Sequence, residues 1–397
     1  MPGFQTSFSS LDSLLSALRQ YWQFMPYAEQ ALPWEETNPA LCEWLNQQRL
    51  PQLEKWKADT NALAEAVSEF IPAVKSLQAL CSLEATEKHE QLLPSHLDTG
   101  IPGRKWQQIV AFNDSLPGSD NITWLEWCAG KGYLGRVISA SRHQPVVSLE
   151  WQQTLCHDGQ QFAEKHKLPM TFVHGDAFTP EAAALITSSQ HAVALHACGD
   201  LHVTLLKHAA QKKTRAVSVS PCCFHLIRDK SYQPLSHVAK KSTLTLSKHD
   251  LKLPLQQTVT ASTGVQKKRF TEVSFRLGFD ALQKHLNGTN DYLPVPNCQK
   301  ALLNEGFELF CQWAAETKGI TLPENTDFGH WQNEGEKRFE DVERMETLRD
   351  LFRRPLEMWL VLDRACFLEE AGYSVTLSEF CRRDLTPRNI LIQGRRD

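Results

Sequence analysis

A glycine-rich turn is the first feature of the sequence that could do chemistry. Gly130, Gly132 and Gly135 satisfy the pattern G-x-G-x-x-G directly after the apolar run 122–128. Glycines at such a turn let the backbone pass close to a ligand at the N-terminus of the following helix. The pattern alone is a weak signal, because a dinucleotide fold would use it to cradle a pyrophosphate, with Glu150 on the ribose.

Three acidic residues at the ends of successive apolar runs narrow the choice of ligand. Glu126 stands four residues before the first glycine, where a carboxylate would repel a pyrophosphate but attract a cationic, amine-bearing ligand such as S-adenosylmethionine. Glu150 is placed to accept hydrogen bonds from both ribose hydroxyls, with Trp151 beside the adenine, and Asp176 is placed to accept from the adenine amino group. We therefore predict S-adenosylmethionine as the cofactor.

Cysteine and histidine residues cluster after the fourth and fifth apolar runs, namely His196, Cys198, Cys222, Cys223 and His225. A zinc site would have enough ligands, but the usual C-x₂-C knuckle is missing, and we expect no metal. A catalytic role would use Asp200 or His225 as the base that takes a proton from the acceptor. Cys222 or Cys223 would instead act as a nucleophilic thiolate. The third interpretation, favoured for each single cysteine, is a small buried hydrophobe.

The order of these segments resembles a known family. E-x-x-A-G-K-G-x-L-G-R, then L-E-W, then H-G-D-A, is similar to class I S-adenosylmethionine-dependent methyltransferases. Segments 195–201, 220–225 and 251–280 resemble the methyltransferase-domain family that includes the glutathione S-transferase C-terminal-domain-containing protein. More distantly, the H-x-C-G and C-C-x-H pieces are similar to the tRNA 2′-O-methyltransferase acting on the acceptor stem, and 385–389 has a counterpart in these families.

This resemblance implies a transferase that moves a methyl group from S-adenosylmethionine. It also implies further cofactor contacts at Ala129, Leu134, Ala177 and His196. One departure is Cys128, because the general methyltransferase turn has a glycine there, although the narrower family tolerates small residues.

The regular spacing of apolar runs predicts the strands and helices that position these residues. Five apolar runs (122–128, 145–151, 170–176, 192–198 and 215–221) end at steps of 22 to 25 residues, which is one strand plus one crossover helix. We predict an α/β, Rossmann-like parallel sheet, in which ligands bind beyond the carboxyl ends of the strands.

The remaining segments complete the predicted architecture. Helical periodicity over 8–93 predicts an N-terminal helical region, and an amphipathic pattern over 336–372 predicts one long helix. The runs 374–381 and 389–394 would add an antiparallel pair and complete a seven-stranded sheet. We predict an N-terminal helical region at 1–95 and a methyltransferase core at 100–225 plus 336–397. A basic, mostly helical insertion would occupy 226–335.

Composition excludes several classes of protein. The chain has 397 residues, of which 42% are hydrophobic and 22% charged, so it can bury a core and is not mainly disordered. The start lacks a signal-peptide pattern, and no run of eighteen apolar residues occurs. Eleven cysteines, an odd number without a secretory signal, favour reduced thiols. We expect a soluble cytoplasmic protein.

The charge is unevenly distributed along the chain. The net charge is −4, yet residues 201–290 contain 15 basic and 4 acidic side chains. A phosphate backbone is a natural partner for such a segment, so we predict methylation of structured RNA such as tRNA or rRNA, with substrate contacts at Lys267, Lys268, Arg269 and Arg388.

Two other functions remain open at this point. One is a methyltransferase that acts on a protein or small molecule, in which the basic segment packs on the acidic N-terminal helices. The other is a non-catalytic interaction protein that retains the cofactor pocket. Many enzymes that methylate amino groups of bases have an Asn/Asp-Pro-Pro-Tyr/Phe motif after the fourth strand, and this motif is absent after the fourth run. Its absence weakens the case for N-methylation without excluding it.

Overall fold

A seven-stranded sheet forms the centre of the computed structural model, which describes residues 3–89, 92–118, 122–255 and 263–396. The strand order is β3-β2-β1-β4-β5-β7-β6. The strands are β1 (Thr123–Trp127), β2 (Val146–Glu150), β3 (Met170–His174), β4 (Gln190–Cys198), β5 (Ala216–Cys222), β6 (Ser374–Glu379) and β7 (Ile390–Arg395).

The first five strands are parallel, and β7 pairs antiparallel with both β5 and β6. Each strand overlaps the apolar run that predicted it, and the C-terminal pair joins the central sheet. The predicted Rossmann-like, seven-stranded sheet is therefore confirmed. It forms because β1 and β5 are almost wholly buried, as apolar strands covered on both faces require.

Fourteen α-helices lie in the part of the chain that the structure describes. They are α1 (Phe4–Ala17), α2 (Pro39–Gln47), α3 (Leu50–Ala58), α4 (Thr60–Val67), α5 (Ala73–Ala79), α6 (Gly103–Asp114), α7 (Tyr133–Arg142), α8 (Gln153–Lys165), α9 (Pro180–Ala184), α10 (Asp200–Lys212), α11 (Thr263–Asn287), α12 (Phe307–Lys318), α13 (Phe328–Arg349) and α14 (Arg353–Glu370). The helical N-terminal region is thus present.

Two predicted helical segments differ in detail from the structure. The single helix expected over 336–372 is two helices, α13 and α14, joined by a 3-10 turn at Asp350–Phe352. Pro355 follows this turn and cannot donate a backbone hydrogen bond, which accounts for the interruption. Within 226–255 the helical structure consists of the 3-10 turns Ala239–Lys241 and Asp250–Leu255.

The chain divides into two compact units. The first comprises Met1–Ser16, Gln78–Gln256 and Arg354–Asp397, and contains the whole sheet. The second comprises Ala17–Leu77 and Gln257–Arg353. The division into an N-terminal region, a core and an insertion stays a prediction. Of its four segments, 100–225 lies wholly in the first unit, whereas 1–95, 226–335 and 336–397 each contribute residues to both units.

Each unit has its own apolar core. In the first unit, Phe112 on α6, Trp124 on β1 and Val137 on α7 are fully buried in one cluster beneath the sheet. In the second, Phe279 on α11 and Phe310 on α12 are fully buried in another. Among the described residues, no helix is both long and apolar enough to span a membrane.

Candidate functional site

The carboxyl ends of the parallel strands meet at one edge of the sheet in the first unit. The strand order reverses between β1 and β4, because β2 and β3 lie on one side of β1 while β4 and β5 lie on the other. Open α/β sheets bind ligands at this switch point. Most of the predicted site residues follow the ends of these five strands.

Glu126 lies beneath the glycine turn that joins β1 to α7. Its side chain is buried, and its Oε2 accepts a hydrogen bond from Ser148 Oγ at 2.8 Å. Burial raises its pKa to about 7, although Ser148 and the backbone N–H groups of Gly135 and Leu134 oppose the shift by donating to the carboxylate. A Cβ at Gly135 would lie 2.6 Å from Oε2. Glu126 therefore holds the turn against the start of α7, and its contact with a ligand stays a prediction.

The turn itself needs left-handed backbone. Gly130 and Gly132 have φ of 59° and 68°, and a Cβ on Gly132 would meet the Phe172 ring at 2.3 Å. Cys128, at the position where the resemblance expects glycine, also has a positive φ of 58°. Burial, followed by the charge of Glu150, raises the pKa of Cys128 to about 12. Its thiol is therefore neutral at physiological pH.

Glu150 connects the end of β2 to the glycine turn. Its Oε2 accepts from the Gly130 N–H at 2.8 Å, and its Oε1 accepts from the Gln152 N–H at 2.9 Å. The next residue, Trp151, has an exposed fraction of 65%. The strand thus ends in an anchored carboxylate followed by an uncovered aromatic ring.

Asp176 organises the end of β3. Its Oδ1 accepts from the Phe178 N–H at 3.0 Å, and its carbonyl accepts from Thr179. Ala177 is buried, whereas the ring of Phe178 is 37% exposed. The sequence pattern alone did not indicate Phe178, although an aromatic residue two positions after a strand-end acid is a usable signal. Two exposed aromatic rings, on Trp151 and Phe178, thus follow two anchored acids.

Two predicted cofactor residues make well-defined contacts within the protein, and their contact with a cofactor stays a prediction. Leu134 is buried in the core cluster of the first unit. His196 has a left-handed φ of 68°, and its Nε2 lies 3.0 Å from Gln108 Oε1 on α6. Burial, with Lys105 and Arg388 adding positive charge, lowers the pKa of His196 to about 4, so the ring is neutral. Nothing in the sequence pattern indicated Gln108.

An irregularity in β4 brings the cysteines together. The register runs Leu195↔Ser220 and then Cys198↔Cys222, so three residues of β4 oppose two of β5. Such a bulge re-aims the residues that follow it. Cys198 Sγ lies 3.5 Å from Cys222 Sγ, and the sulfur of Cys223 lies within 4.8 Å of both. Cys198, Cys222 and Cys223 therefore form a three-cysteine cluster.

The three thiols differ in their environment. Cys222 is buried, whereas Cys198 and Cys223 are half-buried. The hydrogen bond from Cys222 lowers the pKa of Cys223, and Arg388 and His225 add to this effect. Hydrogen bonds with Cys198 and with Cys223, together with burial, raise the pKa of Cys222. Of these two neighbouring thiols, Cys223 is the one that is more easily deprotonated.

Asp200 and Gly199 fix the segment that follows β5. Asp200 Oδ2 accepts from the Arg228 N–H at 2.7 Å, and the Asp200 N–H donates to the Leu226 carbonyl at 3.0 Å. Gly199 has φ of 55°, and a Cβ there would lie 2.0 Å from the Leu226 carbonyl oxygen. The segment 226–228 is thereby held at the ends of β4 and β5, where the Arg228 guanidinium lies 4.7 Å from the Phe178 ring centroid. The role of Asp200 as a base stays a prediction.

Two polar groups at this edge have no partner among the described residues. These are His225 Nδ1 and Arg388 Nε, both of which are buried atoms. Arg388 is held in place through its carbonyl, which accepts from Ser220 Oγ at 3.1 Å. The charges of both side chains lower the pKa of Cys223, so both lie close enough to the three-cysteine cluster to act on it electrostatically.

The other predicted substrate residues lie on α11 in the second unit. Lys267 and Lys268 are exposed. Arg269 forms an ion pair with the buried Glu343, which is also paired with Lys57. Burial alone would raise the pKa of Glu343, but Lys57 and Arg269 together lower it.

Comparison with known proteins identifies the sheet-containing segment. Residues 104–230 match the family model described as "Methyltransferase domain". This segment contains α6 to α10 and β1 to β5, and so includes all the strand ends described above. Residues 104–230 are therefore similar to a methyltransferase domain. No curated protein matches the chain.

Several solved structures are similar to part of the chain. The precorrin-6y C5,15-methyltransferase from Geobacter metallireducens GS-15 is 13% identical, with 32% of this chain and 66% of that chain covered and a TM-score of 0.26. Fibrillarin from Aeropyrum pernix, with natively bound S-adenosyl-L-methionine, is 13% identical, with 35% and 76% covered and a TM-score of 0.27. An RNA methyltransferase from Salinibacter ruber, in complex with S-adenosyl-L-homocysteine, is 11% identical, with 34% and 86% covered and a TM-score of 0.25. The chain thus spans just under two-thirds of the precorrin enzyme.

Proposed function

We propose that this protein is an S-adenosylmethionine-dependent methyltransferase. The observation that carries the proposal is the set of three acids, Glu126, Glu150 and Asp176, placed at or just beyond the ends of three adjacent strands beside a left-handed glycine turn. These residues lie inside the segment that matches the methyltransferase domain. A nucleoside with a cationic side chain fits this arrangement of acids, exposed rings and backbone donors.

Each strand end would recognise a different part of the cofactor. Glu150 is held by two backbone N–H groups, which leaves its carboxylate oriented to accept from ribose hydroxyls. Trp151 and Phe178 offer exposed rings for the adenine, and stacking of a base on an aromatic ring contributes about 1–3 kcal/mol. Asp176 and the neighbouring Ala177 N–H would bind the edge of the base.

Methyl transfer from S-adenosylmethionine requires no covalent bond between the protein and the substrate. Bound S-adenosylmethionine supplies a methyl group on a sulfonium, and transfer is an in-line displacement by the acceptor. The residues at the ends of β4 and β5 would align the acceptor and receive its proton. His225, whose Nδ1 has no partner among the described residues, is better placed for this than His196, whose Nε2 is engaged by Gln108.

Structured RNA is the acceptor that the charge distribution favours. Within the first unit, residues 201–255 contain ten basic and two acidic side chains. All ten basic side chains are exposed, namely Lys207, Lys212, Lys213, Arg215, Arg228, Lys230, Lys240, Lys241, Lys248 and Lys252. No ion pair involves any of them in the part of the chain that the structure describes. A surface of unpaired cations suits a phosphate backbone. The resemblance to the tRNA methyltransferase family points in the same direction.

A protein or small-molecule acceptor is the second candidate. It is favoured by the ion pair between Arg269 and Glu343, because a side chain committed to a buried partner is less available to phosphate. On this interpretation, part of the positive charge of 201–290 serves folding of the second unit.

Calorimetric titration of S-adenosylmethionine tests the cofactor. We expect the wild-type protein to bind, and Glu150→Ala to bind about 10–100-fold more weakly, as loss of hydrogen bonds to a charged group predicts. Glu164→Ala, on the exposed face of α8, is the matched control and should bind like wild type. No binding by the wild type would refute the proposal, and unchanged binding by Glu150→Ala would refute the ribose contact.

Transfer of a labelled methyl group tests the acceptor. RNA and protein fractions from cells that lack this protein would be incubated with enzyme and labelled S-adenosylmethionine, and we expect label in the RNA fraction. RNA binding should fall about 10³-fold or more between 50 and 200 mM salt if six or more phosphates are contacted. Lys240→Glu with Lys241→Glu should weaken it, whereas Lys300→Glu in the second unit is the control. Label in protein alone, or binding insensitive to salt, would favour the second candidate.

A further inference from the structure

We propose that the three-cysteine cluster binds one soft divalent metal ion, Zn²⁺ in the first instance, with a fourth coordination position open to the acceptor. The sequence argued against such a site because it has no C-x₂-C knuckle. The structure supplies the pairing in another way, since Cys198 and Cys222 are 24 positions apart but are direct neighbours on adjacent strands.

Two features of the backbone bring the three cysteine sulfur atoms close together. The bulge in β4 sets Cys198 opposite Cys222. In a regular strand, Cys222 and Cys223 would point to opposite faces. Cys223 instead has a left-handed φ of 47°, and its sulfur lies with the other two. Non-glycine residues in this conformation cluster at functional sites, because the strain persists only where the surroundings impose it.

The distances suit zinc. Zn–S bonds of about 2.3 Å in a tetrahedron place two sulfur atoms about 3.8 Å apart. Cys198 Sγ and Cys222 Sγ are 3.5 Å apart, and all three sulfur atoms lie within 4.8 Å of one another. Side-chain adjustments of less than about 1 Å would therefore complete three bonds. Three thiolates are soft ligands, which select zinc or copper(I) over magnesium or calcium.

The fourth position is not filled by the described residues. Among their histidine, cysteine and carboxylate side chains, only these three ligand atoms converge. Cys198 and Cys223 are half-buried, so the cluster reaches the surface at the carboxyl edge of the sheet. Zinc sites with three protein ligands keep their fourth position for water or substrate and lower the pKa of whatever binds there. An acceptor hydroxyl or thiol bound in this way would lose its proton more easily.

The metal site extends the proposed function, because the role of the metal in binding the acceptor rests on methyl transfer. Metal binding itself can be measured without S-adenosylmethionine. Cobalt(II) would be titrated into fully reduced, oxygen-free protein without S-adenosylmethionine, and thiolate-to-cobalt charge-transfer absorption recorded. We expect saturation at one ion per chain and displacement by an equivalent of Zn²⁺. Absence of this absorption, while S-adenosylmethionine still binds, would overturn the metal site and leave the proposed function standing.

Cysteine variants locate the site. Cys223→Ser should weaken cobalt binding by at least about 100-fold, because losing a ligand costs more than the 10–100-fold typical of an outer-shell partner. Cys198→Ser should do the same. Cys298→Ser, a half-buried cysteine in the second unit, is the matched control and should bind like wild type. Circular dichroism would establish that each variant is folded, and equal binding by folded Cys223→Ser and Cys298→Ser would refute the site.

A small thiol tests the open position. Adding 2-mercaptoethanol to the cobalt-loaded protein should increase the charge-transfer absorption, because a fourth sulfur joins the metal. His225→Ala should leave cobalt binding in place. A spectrum unaffected by thiol but altered in His225→Ala would show that His225 closes the site, and would overturn the acceptor role.

Discussion

The Ser148 hydroxyl donates to Glu126 Oε2 at 2.8 Å in the buried layer beneath the glycine turn. The pair joins β2 to β1, and the same carboxylate accepts from the first turn of α7. An acid buried in this way is more easily protonated, which is why its pKa is raised to about 7.

This pKa shift makes stability depend on pH. A folded-state pKa above the unfolded value means that the folded protein binds the extra proton more tightly. The stabilising contribution is present below about pH 4.5 and is lost as pH rises through about 7. The glutamine side chain of Glu126→Gln resembles the protonated acid. We expect the stability of this variant relative to wild type to increase by about 2.5 kcal/mol between pH 5 and pH 8. Urea unfolding at both pH values measures this, and a difference that is constant with pH would contradict it.

Gly199 is required by the close approach of the segment after β5. A Cβ at this position would lie 2.0 Å from the Leu226 carbonyl oxygen, and the backbone φ of 55° disfavours any other residue. We expect Gly199→Ala to lower the free energy of unfolding by about 3 kcal/mol or more, from strain and overpacking together. Gly264→Ala on α11, where a Cβ meets nothing within 4 Å, is the control and should be within about 0.5 kcal/mol of wild type.

A buried polar network supports the end of β4. Arg364 Nε donates to His202 Nε2 at 2.8 Å, and His202 Nδ1 donates to the Ala197 carbonyl between His196 and Cys198. Burial, with the charge of Arg364, lowers the pKa of His202 well below its usual value, so the ring stays neutral. Arg364 also contacts the hydroxyl of Tyr232.

Removing the histidine from this network should be costly. His202→Leu leaves the Nε of the buried Arg364 without its acceptor, and we expect a loss of about 3 kcal/mol in unfolding free energy. His208→Leu on the same helix, where the ring is half-buried, should change stability by less than about 1 kcal/mol. Thermal and urea unfolding of both variants compare the two, and equal losses would contradict a special role for the network.

The architecture was predictable from sequence, whereas the details at the strand ends were not. Apolar runs at one regular step fix five parallel strands, because burial on both faces leaves a continuous apolar signal. A bulge such as that in β4 and a left-handed residue such as Cys223 depend on the register of neighbouring strands, which periodicity does not encode. For the same reason the contact between His196 and Gln108, 88 positions apart, had no local signal.

Substitution of Arg269 tests whether the basic residues of α11 stabilise the fold or bind the substrate. Its guanidinium is paired with Glu343, which is almost fully buried and also contacts Lys57. We expect Arg269→Glu to lower unfolding free energy by about 3 kcal/mol or more, because a second carboxylate would face the first. Lys268→Glu on the same helix is exposed and should stay within about 0.5 kcal/mol of wild type.

RNA binding by Arg269→Glu and Lys268→Glu tests whether residues of α11 contact the RNA. RNA binding measured at low temperature, where both variants are folded, should fall for Lys268→Glu if α11 contacts phosphate, because an exposed cation becomes an anion. Arg269→Glu should then weaken binding no more than Lys268→Glu does, since its guanidinium is already engaged. If neither variant changes RNA binding while Lys240→Glu with Lys241→Glu abolishes it, the RNA surface belongs to the first unit, and the positive charge of α11 serves the fold.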